Sequence, residues 1–123
     1  MTIIVRDDGF HPDDYTGDVT EIAPDTHPED LPADFAGIGL IRIAFPSFSD
    51  GRGFTLARSL RGAGYAGRLR AAGHVISDQY ALARRSGFDE VEISEELAER
   101  QPADQWQARA DWRSHDYRSR LRA

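Results

Sequence analysis

The sequence predicts a small α/β domain whose mainly parallel sheet is built from consecutive βα units, one form of which would be a fragment-like relative of a (β/α) barrel. Three observations lead there. Residues 38–45 (Ile-Gly-Leu-Ile-Arg-Ile-Ala-Phe) are almost continuously apolar, as in a strand buried on both faces. Two stretches of helical periodicity alternate with two further short strand patterns between residues 51 and 93. The connections between those strands have the length of right-handed βαβ crossovers.

Taken in order, Ile3–Val5 and Val19–Ala23 are short strand candidates, with Asp7-Asp8-Gly9 and Tyr15-Thr16-Gly17-Asp18 as turn chemistry between them. Residues 24–36 are acidic and carry Pro24, Pro28 and Pro32. Thr26 is placed to cap a single helical turn with Pro28 near its start, and Pro32 forbids a longer one. Leu31 and Phe35, four apart, can pack together. After the strong strand, a helix is predicted over 51–61, with Phe54, Ala57 and Leu60 on one stripe and Arg58 and Arg61 facing outward. Gly64 ends it in the left-handed conformation.

Residues 68–72 form a second strand, followed by a helix with Ile76, Tyr80 and Ala83 on its stripe and Gly87 as its stop. Residues 90–93 are the third strand, and Ser94 caps an acidic turn that ends at Pro102. In the tail, Ala103, Trp106, Ala110, Arg113 and Tyr117 repeat at helical spacing. Its two tryptophans either dock this segment on the sheet or present an aromatic, basic surface to a partner. The chain thus divides into an acidic lead-in (1–36), a βαβαβ core (37–100) and a C-terminal segment (101–123).

Composition narrows the function. With no cysteine, the chain lacks disulfides, a thiolate nucleophile and the ligands of an iron–sulfur cluster. The first 36 residues hold ten acidic side chains and one arginine, whereas the rest hold eleven acids and fourteen arginines. A net charge of −6 without a lysine argues against nucleic-acid binding. The start has neither a basic nor an apolar leader region, and no run is long enough to span a bilayer, so a cytoplasmic address without membrane contact is expected.

Loops leaving the C-terminal ends of parallel strands are where α/β sheets bind ligands. The first such loop offers Ser47, Ser49, Asp50, Gly51, Arg52 and Gly53. Amides at a helix start together with a guanidinium suit an oxyanion, and Asp50 could serve as cap or as acid/base. The second offers His74, Asp78 and Gln79, with His74 placed to titrate in the crevice. The run Gly62-x-Gly64-x-x-Gly67 spells a dinucleotide fingerprint but follows a helix and precedes a strand, so it is a turn. The acidic stretch 25–30 with His11, Asp13 and Asp14 lacks metal-ligand spacing, and neither a metal nor another cofactor is predicted.

The strings Phe45-Pro46-Ser47-Phe48-Ser49-Asp50-Gly51-Arg52-Gly53, Ala57-Arg58-Ser59-Leu60-Arg61, Gly67-Arg68-Leu69-Arg70-Ala71, Asp78-Gln79 and Ser86-Gly87-Phe88-Asp89 resemble those of a bacterial domain-of-unknown-function family. That family is often labelled an oxidoreductase and is encoded beside assimilatory sulfite reductase. The resemblance spans about residues 18–93 and departs from the family at His74, where an acidic residue is usual, and in the arginine-rich tail. It implies a context of sulfur assimilation, with sulfite reductase or another enzyme of sulfate assimilation as partner, and it brings no catalytic residues. The expected function is a non-catalytic accessory protein of sulfite reduction acting through protein contacts. The alternative is a small enzyme or oxyanion-binding domain with its site at the C-terminal edge of the sheet.

Overall fold

The computed structural model describes residues 2–112. Six strands form one sheet: β1 (Thr2–Arg6), β2 (Gly9–Pro12), β3 (Val19–Ile22), β4 (Leu40–Phe45), β5 (Arg68–Gly73) and β6 (Glu90–Ser94). Four helices accompany them: α1 (Arg52–Gly62), α2 (Tyr80–Ser86), α3 (Glu95–Arg100) and α4 (Ala103–Gln107). Single 3-10 turns at Pro28–Asp30 and Ser77–Gln79 complete the described elements. None of the helices is long and apolar enough to cross a membrane. The tail positions Arg113 and Tyr117 lie outside the described residues.

The sheet order is β2-β1-β6-β5-β4-β3. Strands β3 to β6 are parallel in sequence order, which is the expected βα succession. The sheet as a whole is mixed, not mainly parallel. The free edge of β6 is taken by β1 running antiparallel, and β2 returns from β1 as a hairpin. The parallel βα succession therefore ends in an antiparallel edge. The hairpin turns at Gly9, whose φ of 121° suits glycine. β2 itself escapes sequence reading because it has only four residues and ends in Pro12, which an edge strand tolerates.

Helices cover one face only. Ile41, Ile43, Phe45, Leu69, Ala71, Val91 and Ile93 point from the sheet into a core filled by Phe54, Leu60, Tyr80, Phe88 and Trp106. Helix α1 ends as predicted, with Gly64 at φ 104° and the Tyr65 amide donating to the Leu60 carbonyl at 3.0 Å. Gly87, at φ 119°, stops α2 in the same way. Ser94 caps α3, its Oγ accepting from the Leu97 amide at 3.1 Å. Thr26 does not cap the first 3-10 turn. His27 occupies that position, and the Thr26 amide instead donates to the Ala23 carbonyl. Trp106 is fully buried edge-on to Tyr80, and Trp112 lies under the Arg84 guanidinium at 4.8 Å, so both tryptophans dock on the body.

The other face is a ladder of charges. Arg70 and Glu90 are each 2% exposed and Glu92 6%. Arg70 donates to Glu90 at 2.6 Å and to Glu92 at 2.9 Å. Arg42 donates to Glu92 at 2.6 Å and to Glu21 at 2.7 Å. Arg6 and Arg68 converge on Glu90 at 3.2 and 3.0 Å.

Residues 13–18 cross this face, because they join β2 at one edge to β3 at the other. Five strand spacings of about 4.8 Å must be crossed at about 3.4 Å per residue, so the strap runs nearly straight. It is fastened by Asp13 on Arg70, by Asp14 beside Arg6 and Arg68, and by the Tyr15 ring, 5.5 Å from the Arg68 guanidinium. Strand β4 is thus buried on its helix-covered face, while Arg42 and Ala44 on its other face are half-buried rather than fully enclosed as the apolar run predicts.

Candidate functional site

The parallel order of β3 to β6 brings the loops after all four strands to one edge, and the two loops singled out by sequence meet there. The Gln79 side chain donates to the Phe48 carbonyl at 2.8 Å. The rings of Phe48 and His74 meet edge-on at 5.1 Å. Gly73, at φ 116°, permits this approach, since a Cβ there would stand 2.7 Å from the Phe45 carbonyl oxygen. That oxygen accepts the His74 amide at 2.9 Å and lies 3.3 Å from His74 Nδ1. A proton on Nδ1 satisfies this contact and leaves Nε2 as the acceptor.

The remaining predicted residues are held by close neighbours. Asp50 accepts from the Arg52 amide at 3.1 Å and from its guanidinium at 3.0 and 2.7 Å. The Arg52 side chain and amide together hold the Asp50 carboxyl below its usual range, so it is ionised at neutral pH and a poor base. Gly51 is the exposed residue at the start of α1. Gly53 is buried against the Phe45 ring, where a Cβ would come within 2.5 Å of Cζ, so close packing accounts for this glycine. The Ser47 and Ser49 hydroxyls lie 3.2 Å apart. Asp78 faces outward to Arg109 at 2.7 Å and does not enter the crevice. Of the acidic and histidine positions considered for metal, His11 contacts Asp8 at 2.6 Å, while Asp13 and Asp14 face arginines.

Sequence reasoning overlooked the third loop at this edge. Ser94, Leu97 and Arg100 close the far side of a crevice of about 220 Å³ whose near side is Phe48, Gly73 and His74. Arg100 is paired with Glu96 on its own helix. The rule that drew attention to the loops after β4 and β5 applies equally after β6, but Ser94 reads first as a helix cap. Phe48, 41% exposed at the lip, is one of two large hydrophobic residues left open among the described residues. A separate groove of about 610 Å³ runs between Arg52, Thr55 and Leu56 of α1 and residues 24–28 after β3.

These groups can position and contact, and the ionised Asp50 carboxylate is paired with Arg52. Over residues 19–123 the sequence matches the family described as "Bacterial protein of unknown function (DUF934)". Comparison with curated proteins and with solved structures gives no match.

Proposed function

We propose, for a chain that belongs to this bacterial family of unknown function, a role as a non-catalytic accessory protein of assimilatory sulfite reduction that acts through protein contacts at the C-terminal edge of its parallel strands. The observation that supports this best is the division of labour at that edge. Asp50, Arg52, Ser94 and Arg100 are bound to partners within the chain, whereas Phe48 is ordered by Gln79 and His74 and faces outward. An aromatic ring already fixed in place loses little freedom on binding, and such residues anchor protein interfaces. The adjoining crevice, with Leu97 in its wall, could take an apolar side chain from the partner.

The sulfur-assimilation context comes from the sequence resemblance, and sulfite reductase or a neighbouring enzyme of the same process is the proposed partner, in the cytoplasm. Affinity capture of the tagged full chain from native extract tests this. Recovery of sulfite reductase from the wild type, reduced by Phe48→Ser, is the expected result. Equal recovery with both proteins would move the contact elsewhere, and no recovery from either would remove the reading.

A further inference from the structure

Helices α1 and α2 end side by side at the opposite end of the molecule, and between their last turns lies a groove of about 610 Å³. Arg58, Arg61 and Arg85 line it, with Trp112 at one side and Gly62 and Gly87 in its floor; none of its described lining residues is a carboxylate.

The arginines differ in what holds them. Arg61 donates to the carbonyls of Tyr65 at 3.0 Å, Gly67 at 2.8 Å and Gly87 at 2.8 Å, and to Asp89 at 3.0 Å. It serves as a strut, and Gly87 makes room for it, since a Cβ there would come within 2.6 Å of Arg61 Cγ. Arg84 is likewise engaged, by the Phe88 carbonyl at 2.6 Å, by Asp7 and by the face of Trp112. The carbonyls just past the two helix ends are therefore already bonded by Arg61 and Arg84. Arg58 is exposed and has no side-chain partner among the described residues, and Arg85 reaches only the Trp112 carbonyl at 3.4 Å. Among the described residues, two guanidiniums are in excess of what the fold uses.

We infer that this groove is a second docking surface, taking an acidic segment of a partner protein whose carboxylates pair with Arg58 and Arg85. The proposal rests on the reading of the chain as one that works through protein contacts, and it adds the chemistry of the partner. Planar guanidinium forks match carboxylates two bonds at a time, and arginine with tryptophan is a frequent pairing at binding hot spots. Charge complementarity decides between occupants. Anionic membranes attract open clusters of about four to eight basic residues, whereas these guanidiniums line a concave slot. A polynucleotide would bring its charge close to a molecule of net charge −6. A short run of carboxylates on a protein can enter the slot without covering the rest of the surface.

Amide shifts of the full chain, titrated with polyglutamate and separately with polyglutamine, phosphatidylglycerol vesicles and a single-stranded oligonucleotide, test the assignment. Polyglutamate alone should shift residues 58–62 and 84–88, with binding that weakens as salt rises. The exposed pair Arg58→Ala and Arg85→Ala should weaken it by about tenfold. Lysine at both positions should restore part of the affinity, because the charge returns without the fork. Shifts confined to other residues, unchanged binding by the double variant, or stronger binding of vesicles or oligonucleotide would overturn the proposal. So would self-association of the chain abolished by the double variant. Capture from extract separates this proposal from the broader one. Equal recovery of sulfite reductase by wild type and double variant sinks the groove alone, whereas groove-dependent polyglutamate binding without any recovery sinks the accessory role alone.

Discussion

The guanidinium of Arg70 holds the carboxylate of Asp13 by both terminal nitrogens, each at 3.2 Å. This contact fastens the strap between the two sheet edges to the middle of the charged face. Burial alone would raise the Asp13 pKa, but hydrogen bonds from Arg70 and the Tyr15 amide outweigh it and hold the carboxyl below its usual range. A group with a depressed folded pKa contributes stability that is present above its unfolded pKa and is lost as pH falls through the folded one. Wild type should therefore lose stability below about pH 4, and Asp13→Asn should lose less over that interval. At neutral pH the variant should be less stable by about 1 kcal/mol, since the contact is partly exposed. Urea unfolding of both proteins as a function of pH is the check. Parallel pH curves would detach Asp13 from the acid response.

Arg70 also joins Glu90 and Glu92 inside the ladder. Arg70→Met leaves two buried carboxylates short of a partner and should cost about 3–5 kcal/mol. Adding Glu90→Met should recover part of that loss, because Arg6 and Arg68 keep Asp14 as a partner. A double variant less stable than Arg70→Met by the full cost of a second deletion would contradict the coupling.

Ile43 is fully buried between the helices and the middle of the sheet. Ile43→Asp should unfold the chain, because an unpaired buried charge costs several kcal/mol against a total of about 5–15 kcal/mol. Melting within a few degrees of wild type would refute its place in the core.

At the loop edge, Gly73→Ala should cost about 1–3 kcal/mol, from the left-handed backbone and the collision with the Phe45 carbonyl. Its local signature is separation of the His74 and Phe48 rings, read from ring-proton contacts in NMR spectra. Intact contacts with unchanged stability would show that the glycine is not needed there.

Much of this was legible in the sequence, and what was not has a common cause. The run around Ile41, the stops at Gly64 and Gly87 and the cap at Ser94 are local signals, and each stands where it was expected. Phe48, Gln79 and His74 were brought together because parallel strands send successive loops to one edge. The antiparallel pairing of β1 with β6 joins residues from near the start of the chain to residues after position 90, and no periodicity encodes it. The ladder was hidden for the same reason. Arg68, Arg70, Glu90 and Glu92 alternate with apolar residues as a solvent-facing row would, and only the distant strap covers them. Asp50 and Arg52 suggested an anion cradle by type and spacing, while their mutual pairing depends on side-chain geometry.

The most direct test of the central claim is quantitative capture of sulfite reductase from native extract on immobilised full-length protein, comparing wild type with Phe48→Ser and Arg52→Ala. The account predicts that wild type retains the enzyme, that Phe48→Ser loses most of it, and that Arg52→Ala, whose guanidinium is engaged by Asp50, retains it. Failure of wild type to retain sulfite reductase, or loss on Arg52→Ala with Phe48→Ser unaffected, would contradict it.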